Sequence, residues 1–143
     1  MKTSKVSRRV TALAALLFTG TATFGGNKVR PPQEPGAELR KAPRAASSWR
    51  NPYGGQADAV LAGKKLFGKH CVSCHGEDAA GIDKAPSLRS PVMRSATAGV
   101  LLWFLKNGNR REGMPSWSKL PDQQLWQLVA YLQSLGSEGS ASQ

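Results

Sequence analysis

Cys71, Val72, Ser73, Cys74 and His75 spell C-x-x-C-H, the spacing by which two thiols bond a haem's vinyl groups while the adjacent imidazole ligates its iron. Such a segment ties the chain at two points to a large flat apolar body, which the rest of the fold must enclose. The chain has no other cysteine, and its one other histidine is His70. One covalently attached haem c, held by Cys71 and Cys74 with His75 on its iron, is therefore the expected cofactor.

Two other chemistries use C-x-x-C. A closed tetrahedral zinc site wants four Cys or His ligands, and this chain offers only His70, Cys71, Cys74 and His75, crowded into six consecutive positions. A dithiol redox centre sits between a strand and a helix, whereas this motif ends a helical pattern and carries His directly after the second Cys.

The amino end reads as an export signal. Lys2, Lys5, Arg8 and Arg9 precede an apolar run from Val10 to Phe18 that is short for a bilayer span, and Gly20 and Ala22 supply small residues for cleavage. Residues 1–22 are expected to be removed; if cleavage fails, the apolar stretch to Gly26 remains as a short membrane anchor. Ser7, Arg8 and Arg9 hint at a twin-arginine signal. Haem is attached to such apoproteins outside the cytoplasm, so a periplasmic location in a bacterium is expected.

The formal charge of +11 suggests nucleic acid until it is partitioned. Residues 1–51 carry ten Lys or Arg against two acids, while residues 52–143 carry ten against seven. A basic nucleic-acid-binding face is not supported. A modest basic ring that steers acidic redox partners is compatible with this balance. Residues 27–56, with Pro31, Pro32, Pro35, Pro43 and Pro52, read as a Pro-rich disordered linker unable to bury a core, and residues 137–143 as a polar tail.

Between them the pattern is all-α. Val60, Gly63, Leu66, Phe67 and Cys71 share one face of a helix over 57–70. A nearly continuous apolar block predicts a helix from about Thr97 to Lys106. Leu125, Leu128, Val129, Leu132 and Leu135 predict a last helix, with Pro121 at its start and Gly136 as its stop. A domain of about 80 residues buries only around 60% of its unfolded surface, so a haem is needed to complete the core.

Over residues 57–136 the chain resembles a class I monohaem cytochrome c, a small fold of three to four helices around one haem. Gly63 and Phe67, eight and four residues before Cys71, resemble the small residue and the aromatic at the crossing of that family's first and last helices. Tyr131 resembles the aromatic that packs into that crossing. The resemblance implies that the Pro86 carbonyl holds the free nitrogen of the ligating imidazole, and that the Met114-Pro115 pair supplies the distal iron ligand.

The residues themselves narrow that ligand. His70 lies one residue before the attachment motif, on the same side of the macrocycle as His75. Met1 is in the signal, and Met93 follows His75 by only 18 residues and is expected to pack near the haem. Met114 is the better candidate, because Gly113, Pro115 and Ser116 hold an extended loop around it. Trp103, Phe104 and Trp117 are candidate haem walls, and Arg110 and Arg111 are candidate partners for a propionate.

The expected function is single-electron transfer between redox partner proteins by an exported, monomeric haem domain that makes and breaks no substrate bonds. The alternative is the cytochrome subunit of a periplasmic dehydrogenase or oxidase. A haem peroxidase or gas sensor would need an open sixth position.

Overall fold

The computed structural model describes residues 36–83 and 85–137. The expected signal peptide or anchor, residues 27–35 of the expected linker and the tail from residue 138 lie outside the described residues.

Helix α1, Ala57–His70, buries Ala59, Gly63 and Phe67 at four-residue steps, the apolar stripe its sequence carries. Helix α5, Asp122–Ser137, buries Leu125, Leu128, Val129, Tyr131 and Leu135. These two helices, far apart in sequence, form the most extensive helix–helix contact of the fold. Gly63 makes the close approach possible: a Cβ there would lie 2.7 Å from the Gln127 carbonyl carbon and 2.8 Å from Tyr131 Cβ. The Phe67 and Tyr131 rings meet beside it, with centroids 5.2 Å apart and planes tilted by 54°.

Three further helices complete the domain, two of them too short for periodicity to announce. Helix α2, Val72–His75, is one turn inside the C-x-x-C-H segment. Helix α3, Pro91–Ser95, starts with Pro91 in its first turn and Ser90 Oγ accepting from the Met93 amide. Helix α4, Ala98–Asn107, is capped by Thr97, whose Oγ1 accepts from the Val100 amide, and it ends at Gly108 with φ of 67°. Among the described residues the α-helices thus number five, against the three to four expected. Among the described residues there is no strand, and the one isolated bridge pairs Asn109 with Met114.

Two expectations are corrected. Gly136 does not stop the last helix, which runs through it to Ser137; its missing side chain leaves room for Arg94, whose Cγ would be 3.0 Å from a Cβ at that position. Residues 36–56 of the expected linker do bury side chains. Two 3₁₀ turns, Leu39–Lys41 and Arg44–Ser48, bury Leu39 and Ala46 respectively, and Asn51 Nδ2 donates to the Trp126 carbonyl of α5 at 2.9 Å. A prolyl composition poor in apolar residues still folds when its few anchors land on a surface built elsewhere in the chain.

Candidate functional site

The turn after α1 is fixed by the carbonyl of Cys71, which accepts from the amides of both Cys74 (3.1 Å) and His75 (2.9 Å). This winds Val72–His75 into one helical turn, so that both sulfurs and the imidazole line one cavity. Gly76, with φ of 75°, reverses the chain. The following loop is held against the turn by bonds from the Gly81 amide to His75 O and from the Ile82 amide to Cys74 O. That path brings Pro86 back to His75, whose Nδ1 lies 3.2 Å from the Pro86 carbonyl oxygen. A carbonyl can only accept, so Nδ1 carries the hydrogen and the Nε2 lone pair is left for another partner.

Met114 belongs to a second loop, clamped to the end of α4. Its amide donates to Asn109 O at 3.0 Å, and its carbonyl accepts from the Asn109 amide at 2.9 Å. The Trp117 amide donates to Leu105 O at 2.9 Å, and Ser116 Oγ donates to Lys106 O. Gly108 lets the loop lie flat on the helix end, since a Cβ there would meet the Met114 and Pro115 carbonyls. The His70 and Trp117 rings, 5.1 Å apart, join this loop to the end of α1.

Cys71, Cys74, His75, Pro86 and Met114 all line one cavity of about 710 Å³, within the range of small-molecule and cofactor sites. Its walls are largely apolar, with Leu101, Leu105 and Phe104 from α4 and Leu128 and Leu132 from α5. Met93 and Trp117 line it as well, whereas Trp103 does not. Arg110 and Arg111 lie exposed in the 3₁₀ turn before Met114. Gly36, Glu38 and Leu39 also reach the cavity. Nothing in their Pro-rich surroundings signals this.

The electrostatics favour neutral groups. Burial holds the His75 imidazole below its usual 6.5, opposed by the bond to Pro86. Burial, then the neighbouring Cys74, pushes the Cys71 thiol up to about 11. Both cysteines are free of any disulfide, and no described buried side-chain nitrogen or oxygen is left without a partner. A site with two available sulfurs, a neutral imidazole, a thioether and apolar walls suits a large planar macrocycle with a soft metal. Among the described residues no cluster of three or more His, Cys, Asp or Glu could hold a bare metal ion.

The comparisons agree with this chemistry. The family described as "Cytochrome C oxidase, cbb3-type, subunit III" matches residues 58–132. Cbb3-type cytochrome c oxidase subunit CcoP of Rhodobacter capsulatus is 35% identical over 88 residues, 54% of this chain; the chain spans only 29% of that subunit's length. Cytochrome c550 of Pseudomonas aeruginosa is 30% identical over 146 residues, 94% of this chain and 97% of the relative. The crystal structure of cytochrome CL from Methylophaga aminisulfidivorans superposes with a TM-score of 0.51 at 23% identity, covering 64% of this chain and 70% of that one, a likeness of fold. With the family match running from α1 into α5 and cytochrome c550 aligned along nearly its whole length, this chain belongs to the class I c-type cytochromes, whose members bind haem c covalently.

Proposed function

We propose that the protein is an exported electron carrier in which Cys71 and Cys74 would form the thioether bonds to haem c, His75 and Met114 would supply ligands to its iron, and Pro86 would orient His75. The observation that carries the reading is that one apolar cavity is lined both by a neutral imidazole with Nε2 free and by a thioether on a separately clamped loop.

When bound, haem c supplies an iron that takes up and gives back one electron. His75 donates from Nε2 while its Nδ1–H rests on Pro86, which fixes the ring and increases its donor strength. Met114 brings a soft, neutral sulfur that favours the lower charge on the metal, and so raises the potential. Burial that opposes a thiolate at Cys71 does not oppose a thioether, which has no proton to lose. The leucines of α4 and α5 keep water out, so the charge on the site changes in a medium that reorganises little. A haem held this way would exchange single electrons without a substrate bond being made or broken.

Cytochrome c550, matched along nearly its whole length, favours a free carrier. The CcoP likeness favours a domain that serves an oxidase. In both, the partner is another redox protein, met in a small, salt-sensitive encounter. Residues 1–22 are proposed as the export signal; among the described residues no helix is long and apolar enough to cross a membrane.

The test is the absorption spectrum of the purified protein, oxidised and reduced, with and without carbon monoxide. A low-spin spectrum with a sulfur-to-iron charge-transfer band and no response to carbon monoxide is expected. Met114→Ala should abolish the band, lower the potential and admit carbon monoxide. An unchanged potential in that variant would overturn the ligand assignment.

A further inference from the structure

The stretch shared with the family begins at residue 58, yet the cavity has a wall that precedes it. Gly36, Glu38 and Leu39 line the cavity, and Leu39, 9% exposed, joins the same core cluster as Phe67, Leu101 and Leu128. We infer that residues 36–49 form a strap that seals one flank of the haem cavity, and that Leu39 is the sealing side chain. The inference rests on the reading of that cavity as a haem site.

Three features show that the strap is built into the fold. Its backbone closes on itself in successive turns: Arg40 bonds to Gly36, Lys41 to Glu38, Ala42 to Leu39 and Ala46 to Pro43. It therefore brings few unpaired backbone groups to the surface it covers. Its two contact points are shaped for each other. Gly36 sits against Val92 of α3, where a Cβ would strike the valine side chain. Gly99, in the first turn of α4, sits against the Ala46 carbonyl, where a Cβ would also come within 2.7 Å of Trp49 Cβ. Ala46 is fully buried at that contact. Finally, Leu39 is the single large aliphatic residue between Gly36 and Trp49, and it is the one turned into the core.

The strap also carries charge to the rim. The Glu38 carboxylate is paired with Lys41 Nζ at 2.6 and 2.7 Å, and Glu38 lines the cavity. Two effects on the potential follow. An apolar seal disfavours the extra positive charge of ferric iron and raises the potential; an anion at the rim stabilises that charge and lowers it. Leu39 and Glu38 thus act in opposite directions from neighbouring positions.

The experiment is redox titration of the full-length haem protein, with the near-infrared charge-transfer band recorded for every variant. Leu39→Ser and Gly99→Val, which unseats the strap, should each lower the midpoint, and Glu38→Gln should raise it. Leu61→Ser, an equivalent change at an exposed site on α1, should leave it unmoved. Independently of the haem, trypsin should cut after Lys41 faster in Gly99→Val than in the parent. With the band retained throughout, midpoints unchanged in Leu39→Ser and Gly99→Val overturn the proposal, as does an equal shift in Leu61→Ser. Should Leu39→Ser fail to fold, Leu39→Ala takes its place, a lowered midpoint supporting the seal and an unchanged one rejecting it. A parent protein without the band would instead overturn the Met114 assignment, a separate failure from that of the strap.

Discussion

Gly63 and Gly68 lie on the same helix, five residues apart, and the fold assigns the same substitution opposite signs at the two positions. Alanine is favoured over glycine in a helix by about 1 kcal/mol. At Gly68 nothing lies within 4 Å of the position a Cβ would take, so Gly68→Ala should stabilise the protein by about 0.5–1 kcal/mol. At Gly63 the new methyl meets the Gln127 carbonyl carbon at 2.7 Å, where 3.4 Å is ordinary contact. The Gln127 carbonyl oxygen is nearer still, so the helices must part by at least about 0.7 Å, a gap that forfeits between a quarter and a half of the dispersion energy of the atoms it separates. Those atoms belong to Phe67, Leu128 and Tyr131, all buried. Because backbone rather than a flexible side chain opposes the methyl, the overpacking cost falls near the upper end of its usual range, about 3 kcal/mol. Less the helical gain, Gly63→Ala should lose about 2 kcal/mol, or roughly 8–16 °C in Tm for a domain of this size. Guanidinium and thermal unfolding of the haem protein, followed by far-ultraviolet circular dichroism, measures both variants. If Gly63→Ala proves as stable as the parent, or if both variants move in the same direction, the account of the α1–α5 crossing is wrong.

Other predictions test the site. Gly108→Ala places an alanine at φ 67° and ψ −171°, a region adopted almost only by glycine, at a cost of about 1–3 kcal/mol, and crowds the Met114 and Pro115 carbonyls; the sulfur-to-iron band should vanish at a lower temperature than in the parent, and an equally robust band would count against the clamp. Replacing Cys71 and Cys74 together by alanine should remove the covalent haem mass from the intact-protein mass spectrum, while either single replacement leaves one bond. Because burial holds His75 below 6.5, the unfolded chain takes up a proton before the folded one. Stability should therefore be full above pH 6.5 and fall as the pH drops toward the depressed value; iron ligation, which also needs the neutral ring, acts in the same direction. Urea midpoints at about pH 8 and about pH 5 check this, and equal midpoints would contradict it.

What the sequence reveals follows from where the information for each element resides. Helices α1 and α5 repeat their apolar residues over three or more turns, so their faces and nearly all their ends are readable. The attachment turn is readable because thioether chemistry permits little variation in spacing. Helix α3 has only five residues, and its evidence is the Ser90-Pro91 pair, a cap signal that a search for periodicity passes over. The strap is harder still. Leu39 joins the core and Ala46 is buried where Gly36 rests on Val92 and Ala46 rests on Gly99, and the pairing of residues 36 with 92 and 46 with 99 leaves no local pattern. The same holds within the site: Cys71, Cys74 and His75 are marked by their own spacing, whereas Pro86 and Met114 are reached only through loops whose paths depend on Gly76, Gly81 and Gly108. The proximity of His75 to Pro86 follows from a family likeness, and no count of residues supplies it.

The crossing of α1 and α5 also imposes an order of assembly. The carboxyl end of a chain is the last to be made, and until Asp122–Ser137 arrive the Gly63–Phe67 face has nothing to pack on. The cavity then lacks the wall that Leu128 and Leu132 supply. Closing that wall before the cavity is filled leaves its leucines facing water instead of a packed partner, and each forfeits about 1.5–3 kcal/mol of burial. Several such losses are large against the roughly 5–15 kcal/mol by which a domain is stable. Docking of the last helix is therefore favoured by a haem already in place, which would let the cysteines be loaded in an open trough before α5 closes it.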